Sequence, residues 1–386
     1  MIQNKISKFN KAYLVLTTIF LTAFPKGGVK INEIPVTWGY ILLFFSIPFC
    51  FIKLKFHKTL KPHSFTYILT LPFTIYSVII LSLSEIGHLG FLISFIISII
   101  IMPFVFLVVF DTILDKESYR NLFIKTFKIC IRFVIVFGIY IYFYKLITGI
   151  SLEIPYLTIN GDDYGLIDSK YNMRGSVRKL VSTYNNGNLF GICMLIISAM
   201  FLKAENRKCF QILFWIALVL TLSRTVWIGM LFLLFLYFLK YATTKSGILI
   251  ITLTIIFVFI GLPWLVAYFN LGDNFLFDEN LGGRVGQLTV LKNLSLTGNL
   301  EFGGIGEIVY LSIMGNFGLI GFILFLLYLF SPVIAYKTFN LKNNFIWGNY
   351  IYILICVSDG GILLIPVMAF YWFMASLVLQ KQMTYY

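Results

Sequence analysis

Residues 89–112 read LGFLISFIISIIIMPFVFLVVFDT, an apolar run that meets no charged side chain before Asp111. About 20 such residues, rising about 1.5 Å each, cross the hydrocarbon core of a bilayer as a helix. A helix is required because lipid offers no partner to backbone N–H and C=O groups, so the segment must satisfy its own. Similar runs recur at roughly 11–25, 36–53, 64–84, 129–150, 186–202, 209–222, 225–240, 246–268, 307–336, 346–358 and 361–380. Together they make about twelve candidate transmembrane helices. The expected fold is an all-α polytopic integral membrane protein, with residues 1–386 as a single membrane domain. The run 307–336 is too long for one crossing. Gly315 and Gly318 are expected to divide it into a short leading helix and a full span.

Composition agrees. The chain is 59% hydrophobic and 12% charged, with a mean hydropathy of +0.91. That is more apolar surface than a soluble core of this length hides, which excludes a soluble fold. The net charge of +14 comes largely from lysines at span ends. No continuous basic face accompanies it, so nucleic acid is not an expected partner. Cys50, Cys130, Cys193, Cys209 and Cys356 are odd in number, lie in or beside apolar runs and form no CxxC. Neither a disulfide framework nor a zinc site is indicated. The first apolar run follows Lys5, Lys8 and Lys11 but lacks a small-x-small cleavage site, so it reads as an uncleaved first helix.

Orientation follows from the lysines. Exits after even-numbered spans carry Lys53, Lys55, Lys58 and Lys61, then Lys116, Arg120, Lys125 and Lys128, then Lys203, Arg207 and Lys208. Lys240 and Lys245, Lys337 and Lys342, and Lys381 continue the series. By the positive-inside rule these exits and both termini are cytoplasmic. The opposite side holds two long loops, 151–185 and 269–306, and a short turn at Ser223-Arg224. Connections longer than about 15 residues are usually functional or disordered, and these two carry Gly, Pro, Asn, Asp and aromatic residues.

Four of the seven arginines, Arg174, Arg178, Arg224 and Arg284, fall on that translocated side, against the general charge bias. A planar, permanently charged fork suits bidentate capture of phosphate or carboxylate. Arg174, Arg178 and Lys179 lie just before Ser182-Thr183-Tyr184-Asn185-Asn186-Gly187-Asn188, which opens the sixth span. A helix start adds backbone N–H groups and dipole to an anion site, while one of the asparagines caps it. The second loop carries Gly282-Gly283-Arg284-Val285-Gly286 and Gly303-Gly304-Ile305-Gly306-Glu307. Glu307 stands at a span entrance, where a carboxylate is costly unless paired or useful; Arg284 and Arg224 are its candidate partners. Asp162-Asp163, flanked by glycines and joined by no histidine, reads as a turn. No metal and no cofactor are expected. Tyr156, Tyr164, Tyr171, Tyr184, Phe275, Phe277 and Phe302 give the two loops aromatic faces that suit sugars.

These residues resemble the O-antigen polymerase/ligase superfamily, the Wzy-type polymerases of bacterial surface polysaccharide and their ligase relatives. The resemblance lies in Ser182-Thr183-Tyr184 through Asn188-Leu189-Phe190-Gly191, in Ser223-Arg224, and in Arg284 with Gly286. It continues through Gly304-x-Gly306-Glu307-x-x-Tyr310-Leu311 and Gly318-x-x-Gly321, and so covers about residues 182–325. Gly187 replaces the family's proline. Glu307 stands where ligases typically carry histidine, which favours a polymerase.

The resemblance implies a GT-C-like glycosyltransferase architecture with two large periplasmic loops, in the bacterial inner membrane. It implies transfer of a growing O-antigen glycan from undecaprenyl pyrophosphate to the next lipid-linked repeat unit, a step in lipopolysaccharide biosynthesis. Partners would be the undecaprenyl-pyrophosphate-linked oligosaccharide, membrane lipid, a chain-length regulator and a flippase. Glu307 and Arg284 would be catalytic. Arg224, Arg174, Arg178, Tyr184, Asn188 and Tyr310 would bind substrate, with Arg174 and Arg178 placed by proximity alone. An O-antigen ligase and a flippase or other transporter of lipid-linked oligosaccharide are the alternatives. A flippase should carry charge at mid-membrane depth, whereas the charges here cluster at one face.

Overall fold

The computed structural model describes residues 2–31, 34–53, 61–114, 116–165, 172–174, 177–241, 260–268, 284–302 and 304–380, with Thr252 and Ile256. Most of the expected span 246–268 and loop residues 269–283 lie outside them. Helix predominates. The helices used below are α1 (Ile2–Thr22), α2 (Trp38–Lys53), α3 (Pro62–Leu83), α4 (Leu89–Val109), α5 (Glu117–Thr148) and α6 (Gly187–Ala204). They continue with α7 (Lys208–Val219), α8 (Arg224–Tyr241), α9 (Leu262–Tyr268), α10 (Val309–Thr338), α11 (Ile346–Ile355) and α12 (Ile365–Val378). Within α4, wide π-type turns occupy Ile97–Ile101 and Val105–Val109 on either side of Pro103.

Among the described residues four helices, α3, α4, α6 and α10, are long and apolar enough to cross a membrane. Helix α6 is buried over nearly its whole circumference, as is α12, so these two form the centre. A helix that is apolar all round belongs in such a position. Outer helices turn apolar faces outward instead. Helix α3 exposes Ile68, Ile75, Val78, Ile79 and Leu83, and α5 exposes Ile129, Phe133, Val136, Tyr140, Phe143 and Ile147. Water does not tolerate stripes of this size, whereas lipid does. The chain is an all-α membrane protein at this level.

Short strand pairs, unexpected from the sequence, stitch the connections together. Strand β1 (Gly28–Ile31) pairs antiparallel with β2 (Ile34–Thr37), and β3 (Glu85–Ile86) pairs parallel with β6 (Glu301–Phe302). Strands β4 (Met173–Arg174) and β5 (Val177–Arg178) form a further antiparallel pair. Their physical reason is local: connections packed against apolar helices must still pair their backbone groups. Other bonds extend the network. Gly28 bridges Asn160, the Trp38 indole donates to the Tyr156 carbonyl at 2.7 Å, and Lys30 meets Asp163 at 3.5 Å. The Leu180 amide donates to the Leu220 carbonyl at 2.9 Å, and the Gly360 amide to that of Glu307 at 3.1 Å. The described residues of the connections α1–α2, α3–α4, α5–α6, α7–α8 and α11–α12 thus gather with residues 284–302 and 304–308 at one end of the helices.

Helix α10 is broken at Gly318, whose φ of 68° and ψ of −172° suit glycine alone. The break frees backbone groups, and the segment Ser295–Asn299 takes them up. The Leu319 amide donates to Ser295 (3.0 Å), that of Ile320 to Leu296 (3.1 Å), and the Asn299 amide to the Gly315 carbonyl (3.2 Å). The Tyr76 hydroxyl donates to both sides, at 3.1 Å from Phe317 and 3.3 Å from Thr297. Gly315 and Gly318 both take part, but only Gly318 leaves helical geometry.

Candidate functional site

The site is built from the start of α6 outward. Asn186 is the cap: its side chain accepts from the Asn188 amide at 2.8 Å and from the Leu189 amide at 3.3 Å. Asn188, one residue into the helix, is therefore spared for other work. Its Oδ1 accepts from Lys179 Nζ at 3.1 Å, and its Nδ2 donates to Asp359 Oδ2 at 2.9 Å. Gly187 lets this happen, since a Cβ there would press on the Cβ of Lys179 and on the Leu180 carbonyl. Gly187 thus has a packing role in this chain.

Asp359 follows the end of α11 and is buried. Arg284 reaches it at 3.5 Å through Nη2 and pairs through Nε with the Glu307 carboxylate. The two carboxylates differ in surroundings: Glu307 is 54% exposed at its side chain and Asp359 only 9%. Burial pushes the Asp359 carboxyl up to about 6; Arg284 opposes that, Glu307 adds to it, and Asn188 and Lys179 hold it down. Backbone bonds fix this geometry. Gln287 Oε1 accepts from the Ile308 amide at 3.0 Å, and the Gly306 amide donates to Ser312 Oγ at 2.9 Å.

A second cationic group adjoins the first through Lys179. Arg178 Nη1 donates to Ser151 Oγ at 2.7 Å, and Lys145 Nζ reaches the same hydroxyl at 3.0 Å. These three residues and Lys179 line one small cavity between α5 and the first long loop. Arg174 lies across the β4–β5 hairpin, where its backbone pairs with Val177. Arg224 begins α8. The next residue, Thr225, bonds Ser358 at 3.1 Å, which sets that helix start beside the Asp359 turn.

Of the residues expected from the sequence, Asn188, Arg284 and Glu307 share one connected cluster, and Arg178 and Arg224 start from segments that border it. Tyr184 and Tyr310 do other things. The fully buried Tyr184 donates to the Thr22 carbonyl at 2.8 Å, and Tyr310 donates to Ile353 at 2.7 Å while its ring meets Phe322 and Phe325. Both tie helices together. Phe302 is buried among Phe95 and Phe317, whereas Tyr156 and Tyr164 are exposed on the first loop. Tyr171, Phe275, Phe277, Gly282, Gly283 and Gly303 lie outside the described residues.

Two members of the cluster escaped the sequence reading. Lys179 was part of the basic run but without a role. Asp359 sits in Ser358-Asp359-Gly360-Gly361, which looks like an ordinary turn. The available signal was its carboxylate, alone between two apolar runs where an acid is costly.

Comparison of the chain with protein-family models, with curated proteins and with solved structures finds no match in any of the three.

Proposed function

We propose that this chain is a polymerase of bacterial surface polysaccharide, working at the periplasmic face of the inner membrane. It transfers a growing glycan from undecaprenyl pyrophosphate to the next lipid-linked repeat unit. The observation that carries the reading is Arg284 held between an exposed and a buried carboxylate, Glu307 and Asp359, beside Lys179 and Asn188.

A guanidinium has five N–H donors. Arg284 spends one on Glu307 and directs another toward Asp359, and its remaining donors are the ones this reading assigns to the pyrophosphate. Donors fixed in place before reaction stabilise developing charge without reorganising, which is what departure of a lipid pyrophosphate demands. In the transfer an acceptor hydroxyl oxygen bonds to the anomeric carbon as the bond from that carbon to the pyrophosphate oxygen breaks. The departing lipid pyrophosphate keeps the electron pair, and Glu307, the accessible carboxylate, takes the hydroxyl proton. Asp359 positions Asn188 and Arg284. Arg178, with Arg174 and Arg224, guides the anionic ends of donor and acceptor.

The test is the lipopolysaccharide ladder of a polymerase-null host carrying the gene. The unmodified chain should restore a ladder. Glu307→Gln keeps size but loses the base, worth about a hundredfold or more in rate, and should leave core capped with single repeat units only. A normal ladder would remove Glu307 from the mechanism. Loss of even single-unit capping would mean repeats never reach the periplasm, and would replace the enzyme by a transporter.

A further inference from the structure

We infer that the end of the molecule opposite this cluster carries a binding site for a phosphate-bearing anion, shaped for the headgroup of an anionic phospholipid. An open recess of about 800 Å³ lies there between α5, the end of α6 and the start of α7. Lys125, Lys128, Arg132, Lys203 and Arg207 line it, and none of the described residues lining it is acidic.

The cations are arranged and not merely abundant. Lys125, Lys128 and Arg132 recur three and four residues apart, so they stack on one face of α5. Like charges at that spacing repel one another and destabilise a helix. An orientation signal needs only lysines somewhere in the loop, so it does not account for stacking them around a concavity. The carboxylate that Arg132 meets is already committed: buried Glu205 receives Arg132 at 2.5 and 2.7 Å and the Arg207 amide at 2.8 Å. That bidentate pair of hydrogen bonds, with the Arg132 guanidinium 4.7 Å from the Phe210 ring, fixes Arg132 in the wall. Lys128 donates to the Ala204 carbonyl at 3.3 Å and lies within electrostatic reach of Glu205, and Lys203 lies over the Phe345 ring at 5.5 Å. The recess therefore holds an excess of positive charge with directed donors, the chemistry of a phosphate cradle.

The shape of what lies beside it favours a lipid source. Ile129 belongs to the lining and is 53% exposed. From it an exposed apolar row, Phe133, Val136 and Tyr140, runs along α5 away from the recess. On neighbouring α7, Ile212 and Ile216 are exposed as well. A phosphodiester in the recess would have its acyl chains against these residues.

Native mass spectrometry of the full chain in detergent tests this, with phosphatidylglycerol and phosphatidylcholine added in turn and inorganic phosphate as competitor. Phosphatidylglycerol should be retained at least tenfold more tightly than phosphatidylcholine. Lys125→Gln/Lys128→Gln/Lys203→Gln should abolish that preference, while Lys337→Gln/Lys342→Gln, which removes two cations outside the lining, should keep it. Failure of millimolar inorganic phosphate to displace the lipid identifies the headgroup source; full displacement at equal concentration identifies a soluble phosphate on the same cradle. If the triple variant does not fold, Lys203→Glu alone gives the same reading. No preference for phosphatidylglycerol, or equal loss in both sets of variants, would overturn the site.

Discussion

At the residue scale, the pair Asn188 and Asp359 shows how one amide organises charge. An asparagine both donates and accepts, so it can stand between a cation and a carboxylate without adding charge of its own. Here it separates Lys179 from Asp359, leaving the carboxyl partly uncompensated in a buried place. The consequence is measurable without knowing the substrate. Asp359 keeps its proton up to about pH 6 when folded, against about 3.9 in an unfolded chain. Because the folded state holds the proton more tightly, the stability it contributes is fully present below about pH 4 and is lost as pH rises through about 6. Two units correspond to about 3 kcal/mol. Asp359→Asn is neutral at every pH and should flatten this part of the profile. Thermal denaturation in detergent at pH 4.5 and 7.5 should show the unmodified chain losing ground to the variant at the higher pH; parallel behaviour at both would dismiss the raised pKa.

At the element scale, the broken helix α10 shows what a glycine is for. A Cβ on Gly318 would overlap the Gly298 amide and the Leu296 carbonyl, which are backbone and cannot swing aside. The φ of 68° with ψ near 180° adds strain of about 1–3 kcal/mol for any other residue. Gly318→Ala should therefore lower the melting temperature sharply and reduce the yield of folded protein. Gly286→Ala, where a Cβ meets nothing, should be nearly silent in the same assay. Retention of wild-type stability by Gly318→Ala would mean the helix runs through unbroken. This element also marks what sequence could reveal. The break was legible because the run was too long and contained glycines. The pairing of the segment Ser295–Asn299 with it was not, because bonds between separate stretches of backbone leave no trace in side-chain pattern. Asp359 was hidden for a related reason: its meaning comes from Arg284 and Asn188, far away in the chain.

At the scale of the whole molecule, the cationic recess and the Arg284 cluster occupy opposite ends of the helices. The lysine asymmetry predicts which end faces the cytoplasm. In a cysteine-free background, a cysteine at Asp163 should react with a membrane-impermeant thiol reagent in intact spheroplasts, and one at Lys342 should not. Reaction at Lys342 alone would invert the molecule and put the Arg284 cluster on the nucleotide-containing side. The general architecture, helices with apolar outer faces and polar connections collected at an end, could be read from hydropathy and charge. The meeting of Lys179, Asn188, Arg284, Glu307 and Asp359 depends on packing between α6, α10, α11 and α12, which no local pattern encodes. One further consequence follows from the interlock at Gly318, and it concerns synthesis. Ser295–Asn299 leave the ribosome before residues 315–320 do. The carbonyls that receive the Leu319 and Ile320 amides are therefore already made when those amides first emerge. The interrupted helix need never enter the bilayer with its missing bonds out of reach of a partner.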